Sequence, residues 1–225
     1  MSRLFIAEKP ELGRAIAQTL GSDQCEEGYI RCSGGDVVTW CFGHLLELTD
    51  PEDHDPNTKK WDLNSLPLRW PVQHKPIGDK SKQVKLIKKL ASEASEIVHA
   101  GDPDEEGQLL VDEVLDYINN RKPVKRVLIN DLNEKVVRKS LNNLKDNREF
   151  YGLYQSALAR SVSDQLYGYN LTRAYTLAGQ AAGASKVLSV GRVQTPILGL
   201  VVRRDRANES HEAHFYFEKH QLLFL

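Results

Sequence analysis

The chain has 225 residues, 40% of them hydrophobic and 27% charged, a composition typical of a globular protein with one or two domains. The formal net charge of −1 excludes nucleic-acid binding through overall charge, so such a partner would need local basic patches. No stretch reaches the roughly 18 apolar residues of a membrane span, and no signal peptide precedes the first predicted strand. No membrane partner is therefore expected.

The first third of the chain predicts a strand, a helix and a hairpin. Arg3–Ala7 is a buried strand, and Pro10 suits the first turn of a helix over about 11–20. Residues 29–32 and 37–41 predict a hairpin, whereas 50–80 is rich in proline and charge and predicts a long surface excursion. The three cysteines, Cys25, Cys32 and Cys41, form an odd set without metal-ligand spacing and indicate reduced thiols of a cytoplasmic protein.

The next segments alternate between helix and strand. Helices are predicted over 82–94 and about 133–144, and strands over 96–100 and 125–129. Such alternation predicts an α/β fold with a parallel sheet flanked by helices. From about residue 150 the pattern is mainly helical, with a further helix over 190–208 and a strand over 214–219, so we expect a domain boundary near 135–150.

An acidic run follows the predicted strand 96–100. Asp102, Asp104 and Glu106 occupy alternate positions and converge on one side if the backbone is extended there. Crowded carboxylates repel one another unless a cation bridges them, and Mg²⁺ prefers oxygen ligands. The run predicts a magnesium-assisted phosphate site; the alternative is a solvated, acidic helix N-terminus.

A second polar group, Glu8 and Lys9, follows the first strand. Ligands of open α/β sheets collect at the carboxyl ends of strands, so neighbouring strands would bring Glu8 and Lys9 to the acidic run. Lys9 could then pair with a phosphate, and Glu8 could act as a general acid or base. The alternative for both is simple surface polarity. His44 follows the third predicted strand and could be a site histidine or a capping residue; from the sequence we favour the capping role.

Two later segments predict nucleic-acid contacts. In residues 189–196, small side chains allow close approach, and Arg192, Gln194 and Thr195 offer hydrogen-bond donors. Residues 166–175 mix aromatic, amide and basic side chains, as a strand-binding surface would. The alternatives are a loop entering an amphipathic helix and ordinary helix packing.

Together these motifs resemble the type IA DNA topoisomerases, specifically the topoisomerase III branch. The resemblance covers residues 3 to about 206 and is carried by RLFIAEKP at 3–10, HAGDPD with EGQLL over 99–110, SALAR at 156–160 and LSVGRVQTP at 188–196. Each motif alone is weak, whereas their combination is specific.

The resemblance implies a Toprim domain over 1–134 and the N-terminal part of the topoisomerase catalytic domain over 151–225, truncated. It implies Mg²⁺ held by Glu8, Asp102 and Asp104 with Glu106 nearby, and a catalytic pair of Glu8 and Lys9. It also implies single-stranded DNA as partner, and by analogy a helicase. The implied DNA-contacting residues are Arg160, Arg173, Ser189, Val190, Gly191, Arg192, Val193 and Gln194. The family cuts one strand through a tyrosine phosphodiester, passes another strand and reseals the gap without ATP.

The chain departs from the family pattern at several positions. None of its eight tyrosines stands in the Tyr-x-Arg-Thr motif of the family nucleophile, so we expect no tyrosyl–DNA link from this chain alone. Glu105 replaces a usual arginine, and Val162 and Gln165 replace an arginine and a tryptophan. Two alternatives stay open: a non-catalytic DNA-binding remnant, or a Toprim-type nuclease that uses metal-activated water.

Overall fold

The computed structural model describes residues 2–212. Nine strands are present in that range: β1 Arg3–Ala7, β2 Ser22–Glu26, β3 Tyr29–Cys32, β4 Val37–Trp40, β5 Leu46–Leu48, β6 His74–Pro76, β7 Glu96–Ala100, β8 Val124–Arg126 and β9 Lys145–Asp146. The same residues form seven α-helices: α1 Pro10–Thr19, α2 Pro51–His54, α3 Ser81–Glu93, α4 Glu105–Tyr117, α5 Glu134–Leu141, α6 Tyr151–Ala181 and α7 Gln194–Glu209.

The central sheet has seven strands in the order β2-β3-β4-β1-β7-β8-β9. The four middle strands, β4, β1, β7 and β8, are parallel. The outer strands are antiparallel, because β2, β3 and β4 form a meander on one side and β9 pairs with β8 on the other. The predicted α/β class is therefore confirmed, with a parallel centre and antiparallel edges.

Helices cover both faces of this sheet because side chains alternate along each strand. Leu4, Ile6 and Ile97 face α3 and α4 in one buried cluster. Phe5, Val98 and their neighbours face α1 and α5 in the other. Burial of their apolar faces holds these helices against the sheet, with their N-termini at the carboxyl ends of the parallel strands.

Clustering of backbone contacts divides the chain into two compact units. The first contains residues 1–60 and 67–166, and the second contains 61–66 and 167–225. The first unit holds both sheets and helices α1 to α5. In the second unit the described part is helical, with the end of α6, a connecting segment and α7.

Several sequence predictions need correction. The segment 50–80 contains β6, which pairs with β5 as a two-stranded sheet, together with short helices. The predicted strand 125–129 is only the three-residue β8, and the helix predicted over 190–208 begins at Gln194 because 190–193 forms a loop. The strand predicted over 214–219 lies outside the described residues. No helix of the described part is long and apolar enough to cross a membrane.

Candidate active site at the carboxyl ends of β1 and β7

Strands β1 and β7 are hydrogen-bonded neighbours, which brings two predicted site segments together. Ala7 pairs with Ala100 at the carboxyl end of the two strands. One residue further on, the Glu8 amide donates to the Ala100 carbonyl oxygen at 3.3 Å. The Asp102 amide in turn donates to Glu8 Oε2 at 2.9 Å. The predicted adjacency of Glu8 and the start of the acidic run, Asp102, is therefore confirmed.

Two glycines make the close contact between this turn and helix α4 possible. A Cβ at Gly107 would lie 2.5 Å from the Asp102 amide nitrogen and 2.8 Å from Glu8 Oε2. A Cβ at Gly101 would lie 2.1 Å from the Gly107 carbonyl oxygen. Real side chains do not approach backbone atoms so closely, so any larger residue would push α4 away from the acidic turn.

Lys9 and Asp102 form an ion pair at the rim of the site. Lys9 Nζ donates to Asp102 Oδ2 at 2.7 Å, and this hydrogen bond raises the pKa of Lys9. Glu8 lies deeper, and burial together with the nearby Asp102 and Asp104 carboxylates raises its pKa, against the opposing hydrogen bond from the Asp102 amide. A carboxyl group with a raised pKa is suited to carrying a proton.

The remaining carboxylates of the acidic run turn to other partners. Asp104 is the N-cap of α4, and its Oδ1 accepts a hydrogen bond from the Gly107 amide at 2.7 Å. Glu106 Oε1 contacts His44 Nε2 at 2.7 Å, and Oε2 contacts Arg160 Nη2 at 3.3 Å. The alternate spacing does not produce convergence because the helix begins at Glu105.

The oxygen donors at this edge suit magnesium by their chemistry, since Glu8, Asp102 and Asp104 are hard carboxylate ligands. In the structure, however, Asp102 of this group forms an ion pair with Lys9. Within residues 2–212 no group of three acidic, histidine or cysteine side chains stands in a metal-binding arrangement. Asp102 is committed to Lys9, and Asp104 caps a helix.

His44 has a different place from the one predicted. Its Nδ1 lies 3.1 Å from Glu113 Oε1, while its Nε2 faces Glu106. The predicted capping role is therefore wrong, because both ring nitrogens are occupied by carboxylates. Hydrogen bonds from the ring to these carboxylates, Glu113 first, raise the pKa of His44 to about 9, against the opposing effect of burial.

Arg126, on strand β8, was not found by sequence reasoning. Its side chain is almost completely buried, and its guanidinium donates to the carbonyl oxygens of Gly101 at 2.8 Å and Asp102 at 2.7 Å. Nε donates to Gln108 Oε1 at 2.8 Å. Arg126 thus ties β8 and α4 to the backbone of the acidic turn. An arginine in a three-residue strand gives no sequence signal for such a role.

In the second unit, the predicted DNA-contacting loop is held by threonines of α6. The Val190 amide donates to Thr172 Oγ1 at 2.9 Å, and the Leu188 amide donates to Thr176 Oγ1 at 2.9 Å. Gln194 Nε2 donates to Ser189 Oγ at 2.7 Å, which closes the loop onto the start of α7. The loop therefore has a defined shape.

The predicted DNA-contacting arginines have different surroundings. Arg173 is buried and stacks its guanidinium over Trp61 and Tyr169, with centroid distances of 5.2 and 5.6 Å. Arg160 has 42% of its side chain exposed and pairs with Glu105 Oε2 at 2.9 Å. The guanidinium of Arg160 is therefore accessible to solvent, whereas that of Arg173 is not.

Comparison with known proteins identifies the family of this chain. The family model described as "Toprim domain" matches residues 3–132, and the model described as "DNA topoisomerase" matches residues 148–222. The proteins named DNA topoisomerase 3 from Vibrio cholerae and Salmonella typhimurium are 54% and 52% identical to the chain. Each match covers 96% of this chain and 34% of the relative. The chain thus spans about a third of the length of these relatives.

A solved structure supports the fold. Full-length topoisomerase I from Thermotoga maritima matches with a TM-score of 0.63 at 21% identity, over 93% of this chain and 31% of that one. At this identity the match shows the fold alone. The Toprim model covers more than half of the chain and the DNA topoisomerase model follows it. The chain therefore belongs to the Toprim-containing type IA DNA topoisomerase family, in its topoisomerase III branch.

Proposed function

We propose that this chain carries the Toprim part and the first catalytic-domain part of a topoisomerase III-type enzyme. Such an enzyme relaxes or decatenates DNA by magnesium-dependent cleavage, strand passage and resealing of a single strand. The observation that carries the proposal is the meeting of Glu8, Lys9 and Asp102 at the carboxyl edge of the sheet. No tyrosine of the 225 residues stands in a Tyr-x-Arg-Thr motif, so we propose that this chain alone forms no tyrosyl–DNA link.

Lys9 is suited to bind the phosphate at which the strand is cut. Its side chain is about half exposed, and its ion-pair partner within the described residues is Asp102. An arriving phosphate oxygen would compete with the Asp102 carboxylate for the same donors. Lys9 would therefore orient the phosphate above the acidic turn and offset its charge.

Glu8 is suited to move a proton at the same place. Its Oε2 accepts the hydrogen bond from the Asp102 amide, so Oε1 is the oxygen left for exchange with a reacting group. Because burial raises the pKa of Glu8, its carboxyl group holds a proton more readily than an exposed glutamate does. A proton delivered from Glu8 would stabilise the DNA oxygen that leaves when the strand is cut.

Magnesium is the metal that the donors at this edge would hold. Glu8, Asp102 and Asp104 are the proposed ligands, with Glu106 beside them. When bound, the ion would neutralise phosphate charge and help to orient the strand. Lys9 pairs with Oδ2 of Asp102, so a metal at that oxygen would have to displace the ammonium group, and a phosphate that draws Lys9 away would make the oxygen available.

Each unit offers its own contacts for single-stranded DNA. In the first unit, the exposed guanidinium of Arg160 is available to a phosphate once its carboxylate partners release it. In the second unit, the loop Ser189 to Gln194 is shaped by bonds to α6 and presents amide and hydroxyl groups. Such groups contact phosphates and sugars without reading sequence. The proposed contact set also includes Arg173, Val190, Gly191, Arg192 and Val193.

Three further proposals concern organisation and setting. We assign residues 1–134 to the Toprim domain and 151–225 to the N-terminal part of the catalytic domain. A helicase partner is proposed by family analogy alone. A cytoplasmic location agrees with three free cysteines, and burial raises the pKa of the Cys41 thiol far above its ordinary range, which keeps it unreactive.

The proposal is tested by magnesium titration and by DNA assays on the same protein. Calorimetry of the wild type, Asp102→Asn and Asp104→Asn measures whether the acidic turn binds Mg²⁺; asparagine still caps α4, so the fold is kept. Binding in the wild type and its loss in both variants would support the proposal. No magnesium binding, with oligonucleotide binding unaffected by either change, would instead support a non-catalytic DNA-binding module.

Plasmid assays with magnesium and with a chelator separate the remaining functions. We expect no relaxation of supercoiled plasmid and no covalent adduct on labelled single-stranded DNA. Magnesium-dependent relaxation to closed circles would mean that a nucleophile exists within these residues. Nicking without an adduct would support the nuclease alternative.

A further inference from the structure

His44 links two carboxylates of helix α4. Its Nε2 lies 2.7 Å from Glu106 Oε1, and its Nδ1 lies 3.1 Å from Glu113 Oε1. Glu106 and Glu113 are seven residues apart, so they share one face of α4. The ring therefore lies along this face and bonds to both carboxylates, while Glu113 itself is almost completely buried.

The segment that carries His44 is held in place before any ligand arrives. Lys80 Nζ donates to the carbonyl oxygens of Phe42 at 3.2 Å and His44 at 2.8 Å. Gly43, between Phe42 and His44, has a φ of +67°, a backbone conformation that residues other than glycine rarely adopt. Buried Glu113 fixes one edge of the ring, so the other edge has a defined direction towards Glu106.

Glu106 is shared between His44 and Arg160. The contact from Glu106 Oε1 to His44 is 2.7 Å, whereas the contact from Oε2 to Arg160 Nη2 is 3.3 Å. The shorter contact is the better hydrogen bond. A carboxylate that holds a guanidinium bidentately competes strongly with a phosphate for it. With one oxygen committed to His44, Glu106 holds Arg160 through a single long contact.

We propose that His44 is a positioning residue for DNA binding: it holds Glu106 and thereby keeps that carboxylate from capturing Arg160. The inference rests on the proposed function, because it takes Arg160 as a contact to DNA phosphate. His44 itself need not touch the strand. It acts through Glu106, and Glu113 acts through His44 by fixing the ring.

The test is a double-mutant cycle on oligonucleotide binding. Fluorescence anisotropy measures the affinity for a labelled single-stranded oligonucleotide. A chelator is present throughout, so neither magnesium nor catalysis contributes, and all variants are compared at one pH and one salt concentration. We expect Arg160→Ala to weaken binding, and His44→Ala to weaken it three- to ten-fold. In backgrounds that contain Arg160→Ala or Glu106→Gln, we expect His44→Ala to have no further effect.

Two variants separate positioning from a general loss of structure. His44→Gln retains an amide donor for Glu106 and should bind close to the wild type. His74→Ala is the matched control, because His74 Nε2 lies 3.9 Å from Glu113 Oε2, on the opposite carboxylate oxygen from the one that His44 contacts. It should leave affinity unchanged, and thermal unfolding checks that each variant is folded.

The outcomes distinguish this inference from the proposed function. If Arg160→Ala leaves binding unchanged, the proposed DNA contact at Arg160 is wrong, and the inference fails with it. If Arg160→Ala weakens binding but His44→Ala does not, only the inference fails. If the loss from His44→Ala persists in the Arg160→Ala background, His44 contacts DNA directly and is not a positioning residue.

Discussion

The guanidinium of Arg126 lies against the backbone of Asp102, and its Nη2 donates to the Asp102 carbonyl oxygen at 2.7 Å. Nη1 holds the preceding Gly101 carbonyl at 2.8 Å, so the fork of one arginine fixes two consecutive peptide groups. Burial lowers the pKa of Arg126 to about 10, against nearby carboxylates that favour its charge, so it remains charged at neutral pH. A permanent buried cation therefore supports the acidic turn from inside the fold.

Replacing Arg126 by methionine should destabilise the fold strongly. The change leaves the carbonyl oxygens of Gly101 and Asp102 and the Gln108 side chain without their donor, at a cost of about 3–5 kcal/mol. Urea unfolding followed by circular dichroism measures this loss. Arg121→Met, at an exposed position, is the control and should stay within about 0.5 kcal/mol of the wild type. A loss below about 1 kcal/mol for Arg126→Met would contradict the assigned role.

Asp112 should make stability depend on pH between about 4 and 6. Burial raises the pKa of its carboxyl group to about 6, against hydrogen bonds from Gln108 and Asn147 that favour ionisation. The unfolded chain has an ordinary value near 4, so the folded state binds this proton more tightly. The protonated Asp112 side chain therefore contributes to the free energy of unfolding. This contribution is fully present below about pH 4 and is lost as the pH rises through about 6.

The Asp112 effect is measured as a difference between two proteins. One pKa unit corresponds to about 1.4 kcal/mol, so the contribution is at most about 3 kcal/mol. Other carboxylates also titrate in this range, and Asp112→Asn removes only the one in question. The unfolding free energy of the wild type relative to Asp112→Asn should fall between pH 4 and 7. A constant difference would show that the Asp112 pKa is not raised.

Much of the fold follows from local sequence pattern. Strands β1 and β7 are short apolar runs followed by polar breaks, and both were predicted with their bounds. Their polar C-terminal neighbours, Glu8 and Asp102, could be brought together in prediction because parallel neighbouring strands end at one edge. Hydrophobic periodicity also predicted α1 and α3 to within a few residues.

The parts that sequence did not predict depend on pairing and burial. Strands β2 and β9 are polar at most positions, and they are strands only because β3 and β8 bond to them. Arg126 looks like surface charge, yet α4 and the acidic turn enclose it. Glu106 was expected to converge with Asp102 by alternation, but it lies within a helix, where alternation no longer applies.

Replacing Lys9 by methionine should tighten magnesium binding. Lys9 competes with a cation for Asp102 Oδ2, and both partners are partly exposed. An exposed pair contributes about 0.2–1 kcal/mol, so its removal should improve magnesium affinity by no more than about five-fold. Isothermal titration calorimetry with magnesium chloride measures the change, with Lys85→Met, an exposed lysine of α3, as the matched control. Weaker binding by Lys9→Met would show that the pair does not compete with the metal.

Replacing Glu105 by glutamine should strengthen binding of single-stranded DNA. Glu105 Oε2 holds Arg160 Nη1 at 2.9 Å, and Ser156 Oγ donates to its other oxygen at 3.2 Å. Removing this charge frees the guanidinium for phosphate and removes a repulsive group. We expect about three- to ten-fold tighter binding at low salt, and a dependence on salt that becomes steeper by about one phosphate contact.

Glu105→Arg extends that test. The substitution also adds a cation, so its affinity should exceed that of Glu105→Gln, and its salt dependence should be steeper still. Glu149→Gln removes one exposed carboxylate elsewhere in the first unit and is the charge-matched control for Glu105→Gln. If Glu105→Gln and Glu149→Gln raise the affinity for DNA equally, the gain comes from the change in net charge and not from release of Arg160 by Glu105.

Replacing Thr172 by valine should loosen the loop that precedes α7. Thr172 Oγ1 accepts a hydrogen bond from the Val190 amide at 2.9 Å and donates to the Val190 carbonyl oxygen at 3.3 Å. Valine keeps the branched shape but offers neither bond, so the Val190 amide should exchange with solvent roughly five-fold faster, equivalent to about 1 kcal/mol. Hydrogen exchange read by mass spectrometry over the loop measures this change.

Thr172→Ser provides the control, because serine retains the hydroxyl group that bonds to both backbone atoms of Val190. Its exchange should match the wild type, and its affinity for single-stranded DNA should be unchanged. Thr172→Val should bind DNA more weakly, since ordering the loop then becomes part of the cost of binding. Faster exchange without weaker binding would separate the two effects: the threonine would shape the loop, and the loop would not contact the strand.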